Sequence, residues 1–173
     1  MPLAYPAARL ALLLAATPLL IGGLGPRMNF NERLLAAQNR ERAVVAVPPL
    51  AWDDRLAKGA AVWAKHLSRT GRFEHSPDQP GAELHGENIW GGTPGYYQPE
   101  NMIALWASEK KVFRPGTFPN NSRTRRVEDV SHYTQLIWRR TSHVGCAVSA
   151  AGSEEILVCR YRTAGNVIGE PIM

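Results

Sequence analysis

Two runs near the end of the chain, "TSHVGCAVSA" (141–150) and "EEILVCRY" (154–161), flank Ala151, Gly152 and Ser153. Strand-like runs joined by Gly-Ser predict a β-hairpin, because glycine supplies the positive φ that a two-residue loop requires. With Gly152 and Ser153 as the loop, Ala151 closes on Glu154, and counting back puts Cys146 directly opposite Cys159. The alternation of pairs makes this a non-hydrogen-bonded position, where Cα atoms lie about 4.5 Å apart. That falls inside the range of about 4.4–6.8 Å that a disulfide can bridge. The same register sets Val148 opposite Leu157, with Val144 and Tyr161 alongside. Register and chemistry therefore agree on a structural cross-strand disulfide, Cys146–Cys159, rather than free thiols. A loop this short contributes on the order of 3 kcal/mol in the chain-entropy picture. Neither cysteine sits in a Cys-x-x-Cys spacing, which argues against a redox or metal pair.

The opening segment, residues 1–25, reads as a signal peptide. It carries one positive charge, Arg9, and no acid, and its apolar stretch from Leu10 to Ile21 is interrupted by Thr17 and Pro18. That is too short for a membrane span and suits a signal core. Gly23 and Gly25 suit cleavage after Gly25, with Ala16 as another candidate; an uncleaved N-terminal anchor is the competing reading. The remainder, 26–173, is expected to be one exported domain with no membrane span. A length of 173 residues, 45% of them hydrophobic and 20% charged, is enough for a sizeable core. An even pair of cysteines outside the cytosol fits a disulfide. The net charge is +5, with local clusters only at Arg123–Arg126 and Arg139–Arg140. No aromatic-interleaved basic stripe accompanies them, which excludes a nucleic-acid partner and leaves a weak attraction to anionic envelope surfaces.

Three helices are expected before the hairpin. The first runs from Asn31 to Ala43, capped by Asn31 and ended by "VPPL" (Val47–Leu50). The second runs from Asp53 to Ser68. Asp53 caps it, Leu56, Ala60, Trp63, Ala64 and Leu67 mark its buried face, and Gly71 closes it. The third runs from Pro99 to Phe113, with Met102, Leu105, Trp106 and Phe113 as its apolar stripe.

Several polar groups stand in costly places. Glu109 falls on the third helix's stripe, where a carboxylate must be paired or ligating. Glu87 sits between Gly86 and the apolar pair Ile89–Trp90. His75 lies in the turn-rich loop "GRFEHSPDQPG" (71–81). His132 stands where the polar run "VEDVSH" becomes the apolar "YTQLIW" (127–138). Taken singly, each has a commoner fate: a helix edge, a loop salt bridge, an exposed loop histidine, a cap. Two histidines and two carboxylates would suit a divalent metal or acid–base chemistry, but no His-x-x-x-His spacing ties them together. His66, His85 and His143 have no supporting context.

The order of motifs supplies the tie. "FEHSP", "GENIW", "WASEKKVF", "SHYTQLIW" and "LVCRYRTAGNVIGE" occur in succession, and the chain from Leu34 to Pro171 resembles the CAP superfamily of cysteine-rich secretory proteins, antigen 5 and plant pathogenesis-related proteins. The resemblance implies an α+β fold, a three-layer α-β-α sandwich around a central antiparallel sheet. It also implies that His75, Glu87, Glu109 and His132 converge as a tetrad in one cleft. In that arrangement His75 and His132 bind a divalent metal, with zinc the first expectation, while Glu87 and Glu109 support them. Lipid or sterol binding by family members implies a small apolar or cell-envelope ligand. The chain departs from the family pattern at His85, which could add a ligand, and at Gln38, where the first helix often has histidine. It has one disulfide and no further cysteine-rich module, so venom-type channel blocking is not implied. Three readings follow: a secreted binding module; a metal-dependent hydrolase with His132 or Glu109 as general base or a triad through Ser131 or Ser76; and a structural extracellular protein with a relict site. The bare architecture and arginine usage suggest a bacterial source, and "NNS" at Asn120 is a glycosylation sequon only in a eukaryotic secretory route.

Overall fold

The computed structural model describes residues 28–77, 81 and 83–173; the expected signal peptide, 1–25, lies outside them. Four helices, α1 (Phe30–Val44), α2 (Asp54–Thr70), α3 (Pro99–Ser108) and α4 (Ser131–Leu136), surround four strands, β1 (Ala51–Trp52), β2 (Gly86–Gly92), β3 (His143–Ala151) and β4 (Glu154–Arg162). The strands lie in the spatial order β1-β3-β4-β2. The long strands are antiparallel, and the two-residue β1 adds a parallel edge to β3, so the sheet is mixed. The α+β sandwich expected from the motifs is thus present, with that short parallel strand as an addition.

The hairpin forms in the expected register. Ala151 pairs with Glu154, Val148 with Leu157 and Cys146 with Cys159. Gly152 has φ of 60°, and the bonded cysteines have Cα atoms 4.1 Å apart. Alternation along β4 then divides the core. Leu157, Cys159 and Tyr161 face α1, α3 and α4, packing with Leu34, Met102, Trp106 and Leu136. Ile156 and Val158 face Ala60, Ala64 and Leu67 of α2. The contact with α2 is so close that a Cβ on Gly145 of β3 would lie 2.2 Å from Ala57 N and 2.4 Å from Asp53 O.

Local signals explain the helix ends. Asp53 accepts from the amides of Arg55 and Leu56, and Gly71, at φ 65°, closes α2. The first helix starts one residue before the expected Asn31, at Phe30. Asn29 is the cap, in a reciprocal capping box with Glu32. The third helix ends earlier than its sequence pattern suggests: it tightens after Ser108 into a 3-10 turn, Glu109–Lys111. Its buried face is Met102, Ile103, Trp106 and Ala107, and Leu105 is 53% exposed, contrary to expectation.

Two buried polar groups knit the layers. Arg42 of α1 is fully buried and donates to the carbonyls of Pro48, Leu136, Trp138 and Thr141. Gln38, also fully buried, accepts from Tyr161 Oη at 2.8 Å and points Nε2 at the sulfurs of Cys146 and Cys159. The residue standing in the family's histidine position is therefore a core amide. Among the described residues no helix is long and apolar enough to cross a membrane.

Gly145→Ala should be among the most damaging single-methyl additions to this protein. Overpacking costs about 1–3 kcal/mol, and here the obstacle is backbone on a helix that cannot swing aside. We expect a loss of about 3 kcal/mol, read as a lower denaturant midpoint. A change below roughly 0.5 kcal/mol, the size of an ordinary surface effect, would show that α2 can lift off β3.

Candidate functional site

Strand β2 is an outer strand of the sheet, and its second residue, Glu87, carries the more buried acid of the quartet. The Glu87 side chain is only 6% exposed. Its Oε1 accepts from Ser76 N at 3.0 Å and lies 2.9 Å from His75 Nδ1; its Oε2 accepts from Ser76 Oγ at 2.8 Å. The backbone of the 71–77 loop is thus fastened to the strand through one carboxylate. His75, whose side chain is 66% exposed, is held at Nδ1 while its far edge faces outward. Arg160, the cross-strand partner of Glu87, brings Nε to 3.6 Å from Oε2.

Glu109 and His132 form a second pair of the same design. His132 Nδ1 lies 2.6 Å from Glu109 Oε1, and Oε2 of the same carboxylate accepts from Tyr133 N at 2.9 Å. The imidazole lies parallel to the Trp106 ring, with centroids 6.1 Å apart and planes 3° apart. Trp106 and Glu109, three residues apart, therefore grip one histidine by its face and its nitrogen. His132 sits in the first turn of α4, and β3 begins seven residues after α4 ends.

A single dipeptide of β2 links the pairs. Glu87 holds His75, and the next residue, Asn88, donates from Nδ2 to His132 O at 3.1 Å. Gln135 of α4 strengthens the junction. A Cβ on Gly86 would lie 1.9 Å from Gln135 Oε1, and one on Gly165 2.8 Å from Gln135 Nε2. The amide oxygen accepts from Gly165 N, and Asn166 donates to Ser131 O while accepting from Thr134 Oγ1. The C-terminal segment thus braces the helix that carries His132. Asn88, Gln135 and Asn166 lay within recognised motifs, but nothing in their spacing announced these contacts.

Both histidines have Nδ1 engaged by a carboxylate, which leaves Nε2 as the ligating or proton-exchanging atom. Among the described residues no three histidine, cysteine, aspartate or glutamate side chains group closely enough to form a metal cage. The four side chains are present as two separate histidine–carboxylate pairs, His75–Glu87 and His132–Glu109, and of the two histidines only His75 is on the lining of the adjacent groove. The serines are committed elsewhere: Ser76 Oγ to Glu87, and Ser131 Oγ to Glu128 O at 3.5 Å. Neither hydroxyl is bonded to a histidine ring, so neither shows the contact of a nucleophilic triad.

Beside the first pair lies a groove of about 660 Å³, lined among others by Trp63, His66, His75, Leu84, His85, Glu87 and Arg160. The presence of His66 and His85 here was not legible from sequence. His66 lies one helical turn from the groove-facing Val62, and His85 immediately precedes β2.

The chain's similarity to known proteins can be set beside this geometry. The model of the cysteine-rich secretory protein family, CAP, matches residues 35–161. Pathogenesis-related protein 1C of Nicotiana tabacum is 34% identical over 144 residues, covering 82% of this chain and 80% of that protein. Venom allergen 5 of Vespa velutina is 34% identical over 131 residues, covering 71% and 60% respectively. The crystal structure of NaASP2 with Zn2+ superposes with a TM-score of 0.67 at 25% identity, covering 86% of this chain and 89% of that one.

The His75–Glu87 pair sets a pH dependence. The hydrogen bond to Glu87 raises His75 above the ordinary 6.5, against the opposing effect of burial. Burial pushes Glu87 up, but hydrogen bonds from His75 and Ser76 outweigh it and hold it below the ordinary 4.5. A raised histidine stabilises the fold fully below its unfolded value and loses that effect as pH rises through its folded value. A depressed carboxylate does so above its unfolded value and loses it as pH falls through its folded one. The pair therefore contributes most between about pH 4.5 and 6.5. Glu87→Gln should return the His75 titration, followed by NMR, to 6.5 or below and remove the excess stability in that window. An unshifted titration would place the controlling charge elsewhere.

Proposed function

The chain belongs to the cysteine-rich secretory protein (CAP) family, and from that premise we propose that it is a secreted protein whose His–Glu pairs hold a divalent cation, zinc first, beside a groove for a small apolar or cell-envelope ligand. The observation carrying this reading is the shared design of the pairs. Each histidine is fixed at Nδ1 by a carboxylate, the arrangement that orients imidazole for a metal at Nε2 and increases its basicity. Both pairs abut the same dipeptide, Glu87–Asn88. A two-nitrogen donor set of neutral imidazoles suits zinc, with water completing the coordination. Zinc in the crystal of the similar NaASP2 supports the same choice of ion.

His75 and His132 would hold the ion, and Glu87 and Glu109 would keep the rings in the ligating tautomer. When bound, the ion would supply a Lewis-acid centre for an oxygen of the ligand. The protein's own groups provide orientation: Ser76 and Tyr133 N fix the carboxylates, and Trp106 fixes the plane of His132. The apolar component of the groove, with Trp63 and Leu84 on its lining, supports a ligand with an apolar body. Export is supported by the family and by a disulfide that persists outside the reducing cytosol. Binding is preferred to hydrolysis because the pairs provide ligands and bases, whereas neither Ser76 nor Ser131, the serines beside them, is bonded to a histidine ring.

Zinc uptake by the full chain, measured by calorimetry and elemental analysis, tests the proposal. One ion per chain is expected, lost in the double variant His75→Ala, His132→Ala. Glu87→Gln or Glu109→Gln should weaken it about 10- to 100-fold, as for other carboxylates that orient metal-bound histidines. Affinity should fall as pH drops, because protons compete for Nε2. Uptake unchanged in the double variant would refute the site. Turnover of a peptide or ester by the zinc-loaded chain, absent in the double variant, would convert the reading to hydrolysis.

A further inference from the structure

Among the described residues, Arg160 is a cation with unspent hydrogen-bonding capacity at the groove. It stands on β4 opposite Glu87, and its side chain is 23% exposed. Among the described residues its one acidic contact is the 3.6 Å approach of Nε to Glu87 Oε2, beyond hydrogen-bond length. Glu87 is already occupied by Ser76 N, Ser76 Oγ and His75, so that carboxylate cannot also offer the guanidinium a two-pronged contact. The helix opposite makes room for this side chain. Gly59 lies within α2, where glycine is disfavoured, and a Cβ there would be 2.8 Å from Arg160 Nη1. The guanidinium thus lies along α2 at Gly59, and both residues line the groove.

The remaining lining complements a charge anchored at that point. The ring of Trp63 stacks on His66, with centroids 4.7 Å apart and planes 15° apart. Val62 and Leu84, both largely exposed, present further apolar surface. Two acids share the lining: Glu83, exposed and therefore screened by solvent, and Glu87, whose carboxylate is buried and bonded to Ser76 and His75. A planar guanidinium with unused N–H groups matches carboxylate or phosphate oxygens, and a flat aromatic wall beside it matches a short apolar or aromatic body.

We propose that the groove takes a small organic anion, with a carboxylate or phosphate head on Arg160 and an apolar or aromatic body against Trp63. This rests on the reading of the groove as a ligand site and is separable from the metal. The guanidinium requires no ion to bind an oxyanion, and the anionic head supplies the selectivity that an apolar groove alone would lack.

The test is a protein-observed NMR titration of the full chain, freed of metal by chelation, with phenyl phosphate, phenylacetate and neutral 2-phenylethanol. The two anions should bind, and comparing them assigns the head group to phosphate or carboxylate. The alcohol should bind at least tenfold more weakly. Arg160→Gln should weaken the anions at least tenfold and leave the alcohol unchanged, Arg160→Lys should weaken them less, and added salt should weaken the anions alone. If Arg160→Gln does not melt cooperatively, the comparison of anion with alcohol, its salt dependence and Arg160→Lys decide the matter. Equal binding of anion and alcohol would overturn the anionic assignment while leaving an apolar groove in place. No binding by any probe would overturn both. Anion binding that appears only after zinc is added would assign the head group to the metal and overturn the role of Arg160. Failure of zinc uptake with anion binding intact would remove the metal reading and uphold this one.

Discussion

A guanidinium with no acid partner among the described residues, fully buried and spent on four backbone carbonyls, sets the frame for the rest of the molecule. Burying a charge is tolerated only when its hydrogen bonds are made, and Arg42 makes them with Pro48, Leu136, Trp138 and Thr141. Desolvation lowers its pKa to about 10, which leaves it charged at neutral pH. Its partners lie in two irregular stretches, the turn after α1 and the connection from α4 to β3, and at the end of α4 itself. Leu136 is the last residue of α4, a six-residue helix too short to persist unaided. The position of His132 in the first turn of that helix therefore depends on a cation on the far side of the core.

The two histidine pairs apply one physical solution twice with different materials. His75 comes from a loop and is stabilised by Glu87, which also binds the backbone and hydroxyl of Ser76. His132 comes from a helix and is stabilised by Glu109, which also binds Tyr133 N. In each case the carboxylate bonds both the histidine and a neighbouring backbone amide, so charge and chain position are set together. The arrangement favours a fixed ring over a flexible one, as a ligand-holding site requires.

How far the sequence revealed this depended on whether a signal was local. The hairpin register, the disulfide, the Asp53 cap and the Gly71 stop were readable because each depends on residues close in sequence or on strict alternation. The members of the two histidine pairs were singled out together only through the order of motifs, since residues 75 to 132 have no common spacing. The end of α3 was misread because apolar residues continue past Ser108, and the change from α to 3-10 geometry depends on tertiary contacts with α4. Leu105 was misplaced because the buried face of α3 runs through Met102, Ile103, Trp106 and Ala107, one position to the side of the apolar stripe read from the sequence. Arg160 appeared to be an ordinary polar residue on a strand. Its significance required knowing that Glu87 lies opposite it and that Gly59 of α2 lies above it, neither of which periodicity can show.

The fit around Gln135 has an evolutionary consequence. Its amide fills the space that Cβ atoms at 86 and 165 would claim, so these three sites divide one fixed volume among strand, helix and tail. A lineage could enlarge either glycine only by first shrinking the glutamine, and doing so would release Gly165 N from its acceptor. Drift at these positions would thus have to be concerted, with intermediates that fold poorly, and the trio should change as a block or not at all.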